Sequence, residues 1–163
     1  MRIVILGIGK ARAAPETILC EDYLKRARGF GPKLGIQKLD LVIADVSRKS
    51  SASARMSEEA DTLKTSIPQG SHVIALDEAG RSLTSEDFAR HIAKLRDAST
   101  GDLVFLIGGP DGLSQILRDG TQSRLALGSQ TWPHMLVRAM LAEQLYRALA
   151  ILSGHPYHRA RIR

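Results

Sequence analysis

The stretch Leu103-Val104-Phe105-Leu106-Ile107-Gly108-Gly109-Pro110-Asp111-Gly112 decides the fold. Five apolar side chains in succession, closed by a turn, mark a strand buried on both faces, because a strand with one wet face would alternate. Strands of that kind belong to parallel sheets covered by helices. The three glycines and the proline that follow allow φ > 0 and close backbone approach. Outward from this strand the chain alternates apolar runs with helical patterns. Ile3 to Gly7, Leu39 to Ala44, Val73 to Leu76 and the short Leu125 to Leu127 read as further strands, the third closed by a turn around Gly80. Pro15 opens an amphipathic helix through Ile18, Leu19, Tyr23 and Leu24 that ends near Gly29. Ala52 to Ser66 is a second helix, stopped by Pro68. Thr84 with Asp87 three residues on resembles a capping box, and the helix it opens has Phe88, Ile92 and Leu95 on its core face. His134 to Ser153 is the longest helix, closed by Gly154. The fold expected is α/β, with a mostly parallel sheet and helices on both faces. Ligands of such sheets bind beyond the carboxyl ends of the strands, which singles out the loops after Gly7, Leu76 and Ile107.

The last helix carries a second message. From Met135 to Leu152 its strongly polar side chains are Arg138, Glu143, Gln144 and Arg147. A helix this apolar is covered on more than one side. A small α/β domain is expected to cover one side only, so the pattern predicts a homodimer in which a second subunit covers the rest.

At 163 residues the chain fits one domain, 1–163, with no linker or repeat. Its net charge is +6, unevenly placed: residues 1–50 hold ten basic and five acidic side chains, 51–100 six and eight, and 101–163 seven and four. Basic ends around an acidic middle suggest a polyanionic partner, most commonly nucleic acid. No apolar run approaches the roughly 20 residues that span a bilayer, so no membrane role is expected. The apolar stretch before Lys10 is too short for a secretory signal. A lone cysteine, Cys20, excludes an internal disulfide, and a cytoplasmic location follows as the expectation.

Four segments could carry chemistry. Gly7-Ile8-Gly9-Lys10-Ala11-Arg12 superficially suggests a dinucleotide loop, but Arg12 stands where the third glycine belongs, and a plain turn is the better reading. The Gly108–Gly112 loop can bond a ligand through main-chain groups. It lacks the lysine and hydroxyl of a phosphate-binding loop, which argues against nucleoside triphosphate hydrolysis. Leu127-Gly128-Ser129-Gln130-Thr131-Trp132-Pro133-His134 follows a strand and runs straight into the long helix. A histidine at a helix N-terminus has its protonation disfavoured by the helix dipole, which suits a neutral base or a hydrogen-bond partner. Finally, Gly154-His155-Pro156-Tyr157-His158-Arg159 sets an aromatic ring beside cations, a combination suited to stacking a base and neutralising phosphate. The three-residue spacing of His155 and His158 lacks any accompanying acid or cysteine, so no metal is expected.

Taken together, "LIGGPDG" (106–112), "PHMLVRAMLAEQLYRA" (133–148) and "HPYHR" (155–159) resemble the ribosomal large-subunit methyltransferase H family. These are small SPOUT-superfamily enzymes that modify N3 of a pseudouridine in 23S ribosomal RNA, and the resemblance runs over nearly the whole chain. It implies a SPOUT-type domain with a C-terminal trefoil knot, which no sequence pattern would reveal. It further implies a homodimer, S-adenosylmethionine as methyl donor, and as substrate the 23S rRNA hairpin at the subunit interface of the assembled ribosome, not DNA. By position, the donor would contact Leu76, Gly108 and the run Leu127, Gly128, Ser129, Gln130, Thr131 and Trp132. Residues 154–163 of one subunit would complete the site of the other. Tyr157 would stack on or bond the target base, Arg159 would stabilise the charge left as the imide proton departs, and His134 or His158 would accept that proton. Relatives often carry an acid after "HPYHR"; Ala160 stands here, so no carboxylate acts at that position. Two alternatives keep the fold: a SPOUT enzyme methylating tRNA, and a non-catalytic ribosome-binding protein.

Overall fold

The computed structural model describes residues 1–10, 13–98 and 101–158. Five strands, β1 (Arg2–Ile8), β2 (Lys38–Ala44), β3 (His72–Ser82), β4 (Leu103–Ile107) and β5 (Ser123–Ala126), form one sheet in the order β2-β1-β4-β3-β5. Every pairing is parallel. The helices are α1 (Pro15–Arg28), α2 (Ala52–Ser66), α3 (Ser85–Asp97), α4 (Gln115–Asp119) and α5 (His134–Leu152). Helices α1, α3 and α5 share one face of the sheet with Ile3, Ile5, Phe105 and Ile107. On the other face α2 and α4 cover Val4, Leu6, Val104 and Leu106. The central strands β1 and β4 are therefore buried on both sides, as their unbroken apolar runs require.

Local signals set the helix starts. Ser51 and Thr84 cap α2 and α3 by accepting from the backbone N–H groups of Ala54 (3.2 Å) and Asp87 (3.0 Å). Two short elements escaped the sequence reading, a 3-10 turn over Gly31–Leu34 and the five-residue α4. Both are shorter than the periods by which helices are recognised.

Three expectations need correction. Gly80 does not close β3. The strand resumes after a bulge: Leu76 and Arg81 both pair with Leu125, and residues 77–80 are extruded between them. Gly80 is required because a Cβ there would lie 2.7 Å from the Leu125 backbone. The fifth strand begins at Ser123 and ends at Ala126, so Leu127 already belongs to the loop. The premise about the last helix is also too narrow, since α5 packs between α1 and α3 as well as on the sheet. One stripe of it, including Leu136 and Met140, remains outside that packing and lines a groove.

Candidate active site at the carboxyl ends of β3, β4 and β5

Three chain segments meet where the sheet's strands end. From β3 come Leu76 and the bulge residues Asp77 and Glu78; from β4, Ile107 and the Gly108–Gly112 loop; from beyond β5, Leu127, Gly128, Gln130, Thr131 and Trp132. Together with His134 and Val137 of α5 they bound an open cleft of 140 Å³. Of the eight residues expected to hold a methyl donor, seven line this cleft. The exception, Ser129, lies in the same loop with its side chain exposed.

The glycine loop is a fold-back on itself. Gly109 and Gly112 form an isolated bridge, and a Cβ on Gly108 would meet the carbonyl carbon of Gly112 at 2.4 Å. Only a residue without a side chain fits at 108. The loop is clamped to α2 by a two-pronged ion pair between Arg55 and Asp111, at 2.7 and 3.0 Å. The Arg55 guanidinium holds the Asp111 carboxyl below the usual carboxylate range. Deeper in, Glu59 is buried and its Oε1 accepts from the Ser47 N–H at 2.9 Å, while its Oε2 has no hydrogen-bond partner among the described residues.

The loop after β5 is held to the bulge by a bond from Thr131 Oγ1 to Glu78 Oε2 at 2.5 Å. Asp77, whose side chain is 5% exposed, lies 3.5 Å from Arg118 and 3.9 Å from Arg124. The two bulge carboxylates were not anticipated. Their signal was available: they directly follow Leu76, at the ligand-bearing end of a strand. The expected turn at Gly80 concealed it.

His134 begins α5 beside the cleft, and burial, with a smaller contribution from the Arg138 charge, lowers its pKa. It is a neutral imidazole at pH 7. Arg138, one turn on, is 4% exposed and donates to the carbonyls of Ile8 and Gly9, the latter at 2.7 Å. The Cys20 Sγ lies 3.6 Å from the Arg138 carbonyl, and burial pushes this thiol up to about 11. It is no nucleophile at neutral pH.

The segment after α5 is elsewhere. The Tyr157 hydroxyl donates to Glu143 Oε1 at 3.0 Å, its ring lies 4.3 Å from that of Tyr146, and the Arg147 guanidinium sits 4.8 Å above it. His158 Nε2 is 2.8 Å from Glu86. The partners on α5, Glu143, Tyr146 and Arg147, stand nine to thirteen residues beyond His134, roughly 14–20 Å along the helix axis. Within one subunit, then, Tyr157 and His158 do not join the cleft. Arg159 lies outside the described residues. Burial and the Glu143 carboxylate raise the Tyr157 pKa, so its hydroxyl is a neutral donor.

Beside the cleft, sharing Leu125, Leu127 and Gly128 with it, runs a groove of 550 Å³ bounded by Leu19 and Tyr23 of α1, Leu83, and Leu136 and Met140 of α5. Among the described residues no group of three His, Cys, Asp or Glu is placed to hold a metal, and no helix is long and apolar enough to cross a membrane.

Comparison with known proteins fits this geometry. The chain is 46% identical over 160 residues to a protein of Bradyrhizobium diazoefficiens named ribosomal RNA large subunit methyltransferase H, covering 98% of this chain and 100% of that one. Proteins of the same name from Afipia carboxidovorans and Rhizobium meliloti are 47% and 46% identical, with the same coverage. Among solved structures, a probable methylase family protein from Haemophilus influenzae matches with a TM-score of 0.52 at 14% identity, over 97% of this chain and 70% of that one. A probable methyltransferase from Bordetella pertussis matches with a TM-score of 0.50 at 16% identity, over 90% and 95%. The family described as "Predicted SPOUT methyltransferase" matches residues 1–158. With a glycine-walled cleft at the strand ends and a family match across nearly its whole length, the chain belongs to the SPOUT methyltransferases.

Proposed function

We propose that the protein transfers a methyl group from S-adenosylmethionine to N3 of a pseudouridine in 23S ribosomal RNA, in the cytoplasm, on the assembled ribosome. The observation that carries this reading is the identity of about 46% over 98% of the chain to relatives named ribosomal RNA large subunit methyltransferase H. The cleft suits the donor on its own terms. Leu76, Ile107, Leu127 and Trp132 offer apolar walls for an adenine ring. Gly108 lines the cleft without a side chain, and the Glu78 carboxylate on the wall can counter the positive charge of a sulfonium or an amino group. S-adenosylmethionine, when bound, supplies an electrophilic methyl. What remains for the chain's own residues is to hold the target nitrogen in line and to remove its proton. Neutral His134, on the cleft wall, is the acceptor reached from within the same subunit.

The working unit we infer is a homodimer of single-domain chains, residues 1–163, in which the second copy covers the apolar groove along α1 and α5. In this arrangement residues 154–163 serve the partner's cleft. Tyr157 packs against or bonds the base, Arg159 offsets the negative charge of the deprotonated imide, and His158 is the second candidate acceptor. Supporting this is the separation, within one subunit, of Tyr157 and His158 from the cleft. We also assign a trefoil knot to the segment from β5 into α5. Its support is the path of the chain, from the sheet edge at β5, past Glu78 at Thr131, to the carbonyls that end β1 at Arg138.

The test is incubation with labelled methyl donor and, separately, intact ribosomes, free large subunits, naked 23S rRNA or tRNA, followed by mapping of the modified nucleotide. The expected result is one N3-methylated pseudouridine in ribosomal 23S rRNA. Label confined to tRNA, or none anywhere, would overturn the reading.

A further inference from the structure

Strand β5 is an edge of the sheet, and α3 runs beside it. Between them lies a groove of 290 Å³ floored by Ile74, Phe88 and Leu125. Its rim carries Arg81 from the far half of β3, Arg90 and Lys94 from α3, and Arg124 from β5, all exposed, with His91 half-buried among them. Asp87 is the one carboxylate in the lining, and it is already bonded to Thr84 at 2.8 Å and to Arg90 at 2.5 Å. Arg81 and Lys94 have no ion-pair partner among the described residues. Four permanent cations surround an apolar floor; Arg90 is paired with Asp87 and Arg124 lies near Asp77, so Arg81 and Lys94 supply most of the uncompensated positive charge.

The groove adjoins the donor cleft. Both are lined by Leu125, and Arg124 on the rim lies 3.9 Å from Asp77 on the cleft wall. We propose that this groove grips the phosphodiester backbone of the RNA next to the nucleotide being methylated. The inference rests on the methyltransferase reading above and deepens it by naming where the RNA strand lies. Three of the four cations are arginines, whose planar fork matches phosphate oxygens, and the apolar floor can take a ribose or a base face. By composition the segment 51–100 is net acidic, yet it contributes Arg81, Arg90 and Lys94 to one side of the fold.

The experiment compares wild-type protein with R81E/K94E and with K38E/K64E. The control pair changes net charge equally, with Lys38 on the opposite sheet edge and Lys64 on the opposite face. Affinity for intact ribosomes is measured by filter binding from low to moderate salt, and donor affinity by calorimetry. The expected result for R81E/K94E is a ribosome affinity lowered about tenfold or more, with the slope of log affinity against log salt smaller by roughly 1.5–2. Its donor affinity should match wild type, and K38E/K64E should bind ribosomes nearly as wild type does. Unchanged affinity and slope in R81E/K94E, or an equal loss in K38E/K64E, would overturn the groove assignment. Wild-type protein that binds ribosomes through the groove but methylates no RNA would instead sink the functional reading while the groove stands.

Discussion

The guanidinium of Arg138 reaches the carbonyl of Gly9 at 2.7 Å and so ties the first turn of α5 to the end of β1 across 129 positions of chain. It also takes the Ile8 carbonyl, and both acceptors lie in the buried interior. No carboxylate pairs with this cation among the described ion pairs; it donates instead to two buried strand-end carbonyls. Replacing Arg138 by alanine should destabilise the protein by about 2–4 kcal/mol, because unsatisfied buried carbonyls cost roughly 1–3 kcal/mol each. At this chain length each kcal/mol lowers the Tm by roughly 2–4 °C, which thermal denaturation would register. Lysine in its place, with one compact ammonium, should recover only part of the loss.

Gly108 tests the cleft itself. With the Gly112 carbonyl carbon 2.4 Å from the position of a Cβ, Gly108→Ala must displace the loop. Donor affinity should fall at least tenfold by calorimetry, while the circular dichroism spectrum keeps its α/β shape.

The shared site should appear in mixing experiments. Gly108→Ala damages the cleft, and Arg159→Ala the segment proposed to serve the partner subunit. Each variant alone should be nearly inactive. After full subunit exchange the mixture should regain about a quarter of wild-type turnover, because one competent site forms in half of the dimers. Two inactive variants that stay inactive when mixed would exclude the sharing of sites.

Acid sensitivity follows from three histidines. Burial lowers the pKa values of His72, His91 and His134, and His72 has an unpartnered buried Nε2. Each is protonated more readily in the unfolded chain, whose value is about 6.5, so the unfolded state binds more protons once the pH drops below that value. Stability should be level above about pH 7 and fall progressively below about pH 6.5. The Tm measured across this range checks it, and His72→Asn should flatten the decline. Methyl transfer limited by neutral His134 should fall on the acid side as well, at a pH below 6.5, and the limb should disappear in His134→Asn.

The presence of each strand, the parallel character of the sheet and the start of every long helix could be read from local chemistry: unbroken apolar runs for β1 and β4, Thr84 with Asp87 for α3, Pro15 for α1. The order of strands across the sheet could not. That the 108–112 and 127–132 loops would meet at one cleft could be read too, since both announce themselves by composition. What local chemistry concealed depends on distant pairing. Whether Gly80 ends a strand or lets it pass close to another depends on Leu125, and only the folded sheet brings the two together. Asp77 and Glu78 entered the site as a result of that one bulge. The basic groove was hidden for the same reason, since its four cations are spread over 44 positions in regions of opposite net charge.

The bond from Arg138 to Gly9 also imposes a schedule. Residues up to Leu113 furnish one half of the cleft, residues from Leu125 onward the other, and the two are locked together by a helix that emerges late during synthesis. A nascent chain still lacking α5 also lacks His134, Val137 and the Arg138 tie, so its cleft has neither that wall nor that lock.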